Sequence, residues 1–147
     1  MPDIALCIGN IQQTVNTVLN NVTTIQSKKR KSKNGEQYLY CGGGYDTEST
    51  TIVEDDKPQY AFVYHVQIMI NGTYIYFRDI NLCVPFFDCL CNAIADRFEK
   101  AKLIIWVANL AHEWSFVKRQ WAKVGITESF AKTKRNPLKI TLRDCIE

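Results

Sequence analysis

Between residues 59 and 70, hydrophobic and polar positions alternate with a period of two. Tyr60, Phe62, Tyr64, Val66, Ile68 and Ile70 fall on one side; Ala61, Val63, His65, Gln67 and Met69 fall on the other. That period predicts a strand from Gln59 to Ile70. Asn71-Gly72 follows, a strong short hairpin signal, and makes Thr73 to Arg78 the expected antiparallel partner. Upstream, Tyr38 to Thr47 reads as a first strand. Gly42, Gly43 and Gly44 interrupt it and predict a bulge or a close backbone approach. Glu54 to Pro58 is a polar connection. Beyond residue 80 the period becomes helical. Phe87, Leu90, Ile94 and Phe98 mark a helix from Pro85 to Lys100, with the proline suited to its first turn. Leu103-Ile104-Ile105-Trp106-Val107 is a short unbroken apolar run, as in a strand buried on both faces. A second helix is expected to run to about Val124, where Gly125 stops it. Pro137 precedes a last strand, Leu138 to Cys145.

Residues 1–37 follow another pattern. Ile8, Ile11, Val15, Val18, Val22 and Ile25 recur at alternating spacings of three and four. This predicts a short amphipathic helix, although Asn, Thr and Val are mediocre helix formers. Such a helix packs on its own domain or docks a partner. Lys28, Lys29, Arg30, Lys31 and Lys33 then form a basic run that reads as an exposed turn or linker. The organisation expected is an N-terminal extension, 1–37, and one domain, 38–147. Three strands, then helix, strand, helix, strand, predict a mixed α/β (α+β) architecture. Five strands would form one sheet with helices on its faces, and the strand–helix–strand units call for right-handed crossovers.

A length of 147 residues supports one domain with a real core, and 46% hydrophobic residues is a folded composition. A net charge of +3 does not by itself imply nucleic acid. Its distribution does more: the run at 28–33 is joined by Lys118, Arg119 and Lys123, and by Lys132, Lys134, Arg135 and Lys139. Basic runs of this kind suit a polyanion. The six cysteines include no Cys-x-x-Cys pair and only two histidines accompany them, so no structural zinc is expected. No secretory signal opens the chain, and no apolar run approaches the ~20 residues of a membrane span. Reduced cysteines, an intracellular location and no membrane partner are the expectation.

The candidate chemistry lies in Tyr45-Asp46-Thr47-Glu48-Ser49-Thr50. In a strand, Asp46 and Glu48 point to the same face, with Cα atoms about 6.6 Å apart. Carboxylates so placed can converge on one or two hard cations. Phosphodiester hydrolysis by two metals roughly 3.5–4 Å apart needs such a cluster. Two solvated acids at a strand end is the ordinary alternative.

Read with a second segment, Trp106-Val107-Ala108-Asn109-Leu110-Ala111-His112-Glu113, this stretch resembles the exonuclease motifs of family B DNA polymerases. It is most similar to the protein-primed polymerases of small tailed phages. Their first motif is Asp-x-Glu-Thr-Thr-like. Their second follows a hydrophobic strand and reads Asn-Leu-x-aromatic-acid. His112 stands in the aromatic slot, a departure that keeps a flat ring, and Glu113 supplies the acid. The resemblance covers roughly residues 38–147 and includes the spacing, a hairpin and one helix between the motifs.

The resemblance implies a ribonuclease H-like fold and 3′–5′ proofreading of single-stranded DNA during replication, in the host cytoplasm. It implies Mg²⁺ or Mn²⁺ held by Asp46, Glu48 and Glu113, which would be the catalytic residues. Ser49, Asn109 and His112 would hold terminal nucleotides, with Lys118, Arg119, Lys132, Lys134 and Arg135 supporting the strand. The rest of a polymerase chain and a terminal priming protein are the implied partners. The family's third motif, a Tyr and an Asp on a later helix, would lie beyond Glu147. With three acids of four, the 147-residue chain is expected to degrade single-stranded DNA feebly or not at all. Two rivals stay open: a catalytically incomplete nucleic-acid-binding module, and a module that docks a replication partner through its N-terminal helix. Asn109 also reads as a plain helix cap.

Overall fold

The computed structural model describes residues 2–26, 35–133 and 136–147. The basic run at 28–33, together with Lys134 and Arg135, therefore lies outside the described residues. In chain order the elements are β1 (Asp3–Ala5), α1 (Ile11–Val18), β2 (Thr24–Gln26), β3 (Gln37–Leu39), β4 (Gly43–Glu54) and β5 (Lys57–Ile70). Then come β6 (Thr73–Phe77), α2 (Cys83–Arg97), β7 (Ala101–Lys102), β8 (Trp106–Val107), α3 (Leu110–Val124), β9 (Ile126–Thr133) and β10 (Asn136–Leu142).

The expected mixed five-stranded sheet is present, with order β1-β6-β5-β4-β8. β4, β5 and β6 form an antiparallel meander, while β8 runs parallel to β4 and β1 parallel to β6. Asn71 and Gly72 turn β5 into β6 with φ of 51° and 73°, the left-handed pair that a two-residue hairpin requires. Asp55 and Asp56 do the same between β4 and β5, at 50° and 57°. The polar connection at 54–58 is thus the tip of a long hairpin, and β4 continues well past Thr47.

The first strand expected at 38–47 is two strands. β3 belongs to a small separate sheet, β2-β3-β7, and β4 starts at Gly43. The glycine there answers to a close approach: a Cβ on Gly43 would stand 2.8 Å from the Ile104 carbonyl oxygen. Only Gly at this position lets β4 pass the segment that leads into β8.

Two sequence expectations about the sheet need correction. The C-terminal strand expected at 138–145 is β10, which pairs antiparallel with β9 as a separate hairpin. The fifth place in the main sheet belongs to β1, at the opposite edge. Residues 145–147 do run beside residues 103–105, with Leu103 N–H donating to Cys145 O at 2.8 Å and Ile105 N–H to Glu147 O at 2.8 Å. Nor do helices cover both faces. Val66, Ile68, Ile70, Ile75 and Phe77 bury one face in a core shared with Phe86, Phe87, Leu90 and Ile94 of α2 and Val117, Trp121 and Val124 of α3. The side chains of Asp46, Glu48, Gln67, Met69, Tyr74 and Tyr76 alternate onto the other face and are exposed or half-exposed.

The N-terminal helix is shorter than its pattern. α1 buries Ile11, Thr14, Val15 and Val18, packs on α2, and ends before Val22 and Ile25. Its apolar stripe is used on its own domain. Among the described residues, no helix is long and apolar enough to cross a membrane.

Candidate metal and nucleic-acid site

β4 and β8 bring the two acid-bearing segments together. In parallel register, Gly44 lies opposite Trp106 and Tyr45 opposite Val107. Two residues beyond Val107, Asn109 opens α3. Its side-chain oxygen accepts from the His112 N–H at 3.2 Å, so Asn109 is the helix N-cap. Glu113 then falls in the first turn, and the helix carries it against β4.

The alternation of β4 separates the acids. Tyr45 and Thr47 point to the helix-covered face; Asp46 and Glu48 point to the open face. Thr47 donates its hydroxyl hydrogen to the Glu113 carboxylate. Glu113 is 3% exposed, the one acidic or basic side chain buried among the described residues. Burial pushes its carboxyl above the usual range, and the nearby Asp46 charge pushes the same way. The Thr47 hydrogen bond and His112 pull it back down.

Asp46 and Glu48 therefore share an exposed face, while Glu113 sits on the far side of the strand. The Asp46 charge still acts on Glu113, but the three do not form one ligand cluster. Among the described residues, no group of three or more His, Cys, Asp or Glu side chains could hold a metal ion. By donor chemistry Asp46 and Glu48 fit a hard divalent cation. Glu113 joins them only if it leaves Thr47.

The open face beside the acids is aromatic. Across β5, His65 pairs in register with Glu48, and Gln67 with Asp46. His65 stacks on Tyr76 at 6.1 Å between centroids, and Tyr76 on Tyr74 at 5.7 Å. The sequence pattern places His65 on the second side of its strand and assigns no role to it, Tyr74 or Tyr76. The alternation in Thr73–Phe77 was the available signal.

The remaining candidates are spread out. Ser49 is half-buried just after a bulge between Glu48 and Ser49. His112 is exposed and meets the Phe116 ring edge-on at 5.2 Å. Lys118 and Arg119 are exposed on α3, and Lys132 is exposed on β9. An apolar cavity of about 340 Å³ lined by Tyr45, Trp106, Leu110, Trp121 and Ile140 lies elsewhere: none of Asp46, Glu48 and Glu113 lines it.

Comparison with known protein families, with curated proteins and with solved structures finds no match to this chain.

Proposed function

We propose that this domain is the N-terminal 3′–5′ proofreading exonuclease portion of a phage protein-primed DNA polymerase, with a ribonuclease H-like arrangement. The observation that carries the reading is the parallel register of β4 with β8. It sets the strand of Asp46-x-Glu48 beside the strand that leads into Asn109-Leu-x-His-Glu113 at the start of α3, with an antiparallel hairpin on the other side of β4. Mg²⁺ or Mn²⁺, when bound, would supply an activated water and stabilise the leaving 3′ oxygen. Asp46 and Glu48 would hold it from the open face. Asn109 fixes the start of α3, and so sets where His112 and Glu113 stand. His112 offers an exposed ring to a terminal base, and base–aromatic stacking of this kind is worth ~1–3 kcal/mol. Lys118, Arg119 and Lys132 would neutralise backbone phosphates.

The Thr47–Glu113 hydrogen bond favours the second reading, a nucleic-acid-binding module with an incomplete metal site. With Glu113 turned to Thr47, any hydrolysis by this domain is slow, because a misplacement of about 1 Å can cost roughly 100-fold in rate. A 3′-labelled single-stranded oligonucleotide with Mn²⁺ separates the readings. The exonuclease reading predicts slow release of 3′ nucleotides, lost in Asp46→Ala and Glu48→Ala. Binding without any release supports the module. Neither binding nor release overturns both.

A further inference from the structure

Away from the acids, two buried thiols meet. Cys91 lies on α2 and Cys145 in the turn after β10; they are 1% and 6% exposed. Both sulfurs contact the Leu142 carbonyl oxygen, at 4.0 and 3.6 Å. Each thiol shifts the other's titration, in opposite directions. The turn that returns Cys145 to this position is Leu142-Arg143-Asp144-Cys145, closed by Cys145 N–H donating to Leu142 O at 3.0 Å. Arg143 and Asp144 have φ of 47° and 59°. Non-glycine residues seldom adopt that conformation, and two in succession need outside support.

The support is visible. The Arg143 guanidinium donates to the Asn92 side-chain oxygen at 2.7 Å and to the Asp88 main-chain oxygen at 3.4 Å, and pairs with the Asp88 carboxylate at 3.5 Å. Asp144 N–H donates to the Thr127 hydroxyl oxygen at 3.0 Å. Asp88 and Asn92 flank Cys91 on α2. One arginine thus pins a strained turn to the helical stretch that carries the other thiol. Strained conformations over-determined by their surroundings are often tied to function.

We propose that Cys91 and Cys145 are a redox-active dithiol that closes to a reversible disulfide between α2 and the C-terminal turn. The neighbouring Cys91 thiol holds the Cys145 thiol below its usual range, and Arg143 pulls the same way, against burial. The Cys145 thiol, and then burial, push Cys91 up. Cys145, the less buried of the two, is the attacking sulfur. With hydrogen peroxide as oxidant, the Cys145 thiolate takes one peroxide oxygen, the O–O bond breaks, and hydroxide leaves. The Cys91 thiol then attacks the Cys145 sulfenic acid. An S–S bond forms, the S–OH bond breaks, and the Cys91 proton leaves with the hydroxyl as water. Two electrons pass from the thiol pair to the peroxide.

The test treats the whole chain with hydrogen peroxide, alkylates the remaining free thiols and maps a non-reduced digest by mass spectrometry. The expected product is one Cys91–Cys145 cross-linked peptide pair, removed by dithiothreitol, in a protein whose melting midpoint has risen because the unfolded chain is now cross-linked. Recovery of Cys91 and Cys145 as alkylated thiols while Cys7 is oxidised would overturn the proposal. A sulfenic-acid probe adds a second readout: it should label Cys145 in Cys91→Ser and leave Cys91 unlabelled in Cys145→Ser. The reverse labelling would refute Cys145 as the attacking sulfur.

Discussion

Thr47→Val removes one hydroxyl and changes almost nothing else. Valine matches threonine in shape and favours strands, and position 47 is 7% exposed on the helix-covered face. The lost interaction is the hydrogen bond to the Glu113 carboxylate, which is left buried without that donor. A hydrogen bond to a charged group contributes about 1.5–3 kcal/mol, against about 0.5–1.5 kcal/mol for a neutral one. At about 2–4 °C per kcal/mol, the variant should melt about 3–12 °C lower near neutral pH. The sign with pH is fixed. Glu113 already has a raised folded-state pKa, so its favourable contribution is present below the ordinary carboxylate range and is lost as pH rises through the folded value. Removing the Thr47 donor raises that value further, so the penalty of Thr47→Val grows between about pH 5 and about pH 8. Urea denaturation at both pH values measures it. In a Glu113→Gln background the same substitution should cost less, with a coupling of about 0.5–3 kcal/mol in the double-mutant cycle. Equal penalties at both pH values, or no coupling, would refute the role given to this pair.

Gly43→Ala should destabilise by about 1–3 kcal/mol in thermal melts, because the new methyl meets the Ile104 backbone at 2.8 Å and that oxygen cannot rotate away. Asn109→Ala should cost about 1 kcal/mol as a lost N-cap, and Asn109→Asp should recover most of it by the same denaturation assay. Lys118→Ala and Arg119→Ala should each weaken single-stranded DNA binding alike for all sequences and flatten the salt dependence by about one unit of slope. Unchanged slopes would move the DNA surface off α3.

The parts legible in the chain were those with local signals. The alternation of residues 59–70 and the Asn71-Gly72 pair give β5, the turn and β6. The helical period gives α2, and Asn109 with Gly125 brackets α3. The place of β4 between β5 and β8 is expected only if both acid-bearing segments meet at one end of neighbouring strands, as the motif resemblance implies. The β9–β10 hairpin was missed because every residue of β9 except Ile126 is exposed. With no buried face, Thr127-Glu-Ser-Phe-Ala-Lys-Thr133 shows no period to read. β1 was missed because three residues are too few for a pattern. At the site, the common face of Asp46 and Glu48 is a local property and could be read. The bond that turns Glu113 toward Thr47 joins residues far apart in the chain, and nothing local encodes it.

The central claim is that the exposed pair Asp46 and Glu48 holds a divalent cation at the end of a single-stranded DNA path. Electron paramagnetic resonance of Mn²⁺ titrated into the whole chain tests it most directly. The account predicts a bound-metal signal that grows when a single-stranded oligonucleotide is added and is lost in Asp46→Ala and in Glu48→Ala, while Glu113→Gln only weakens it. A signal indifferent to Asp46 and Glu48, or no bound Mn²⁺ with DNA present, would contradict it.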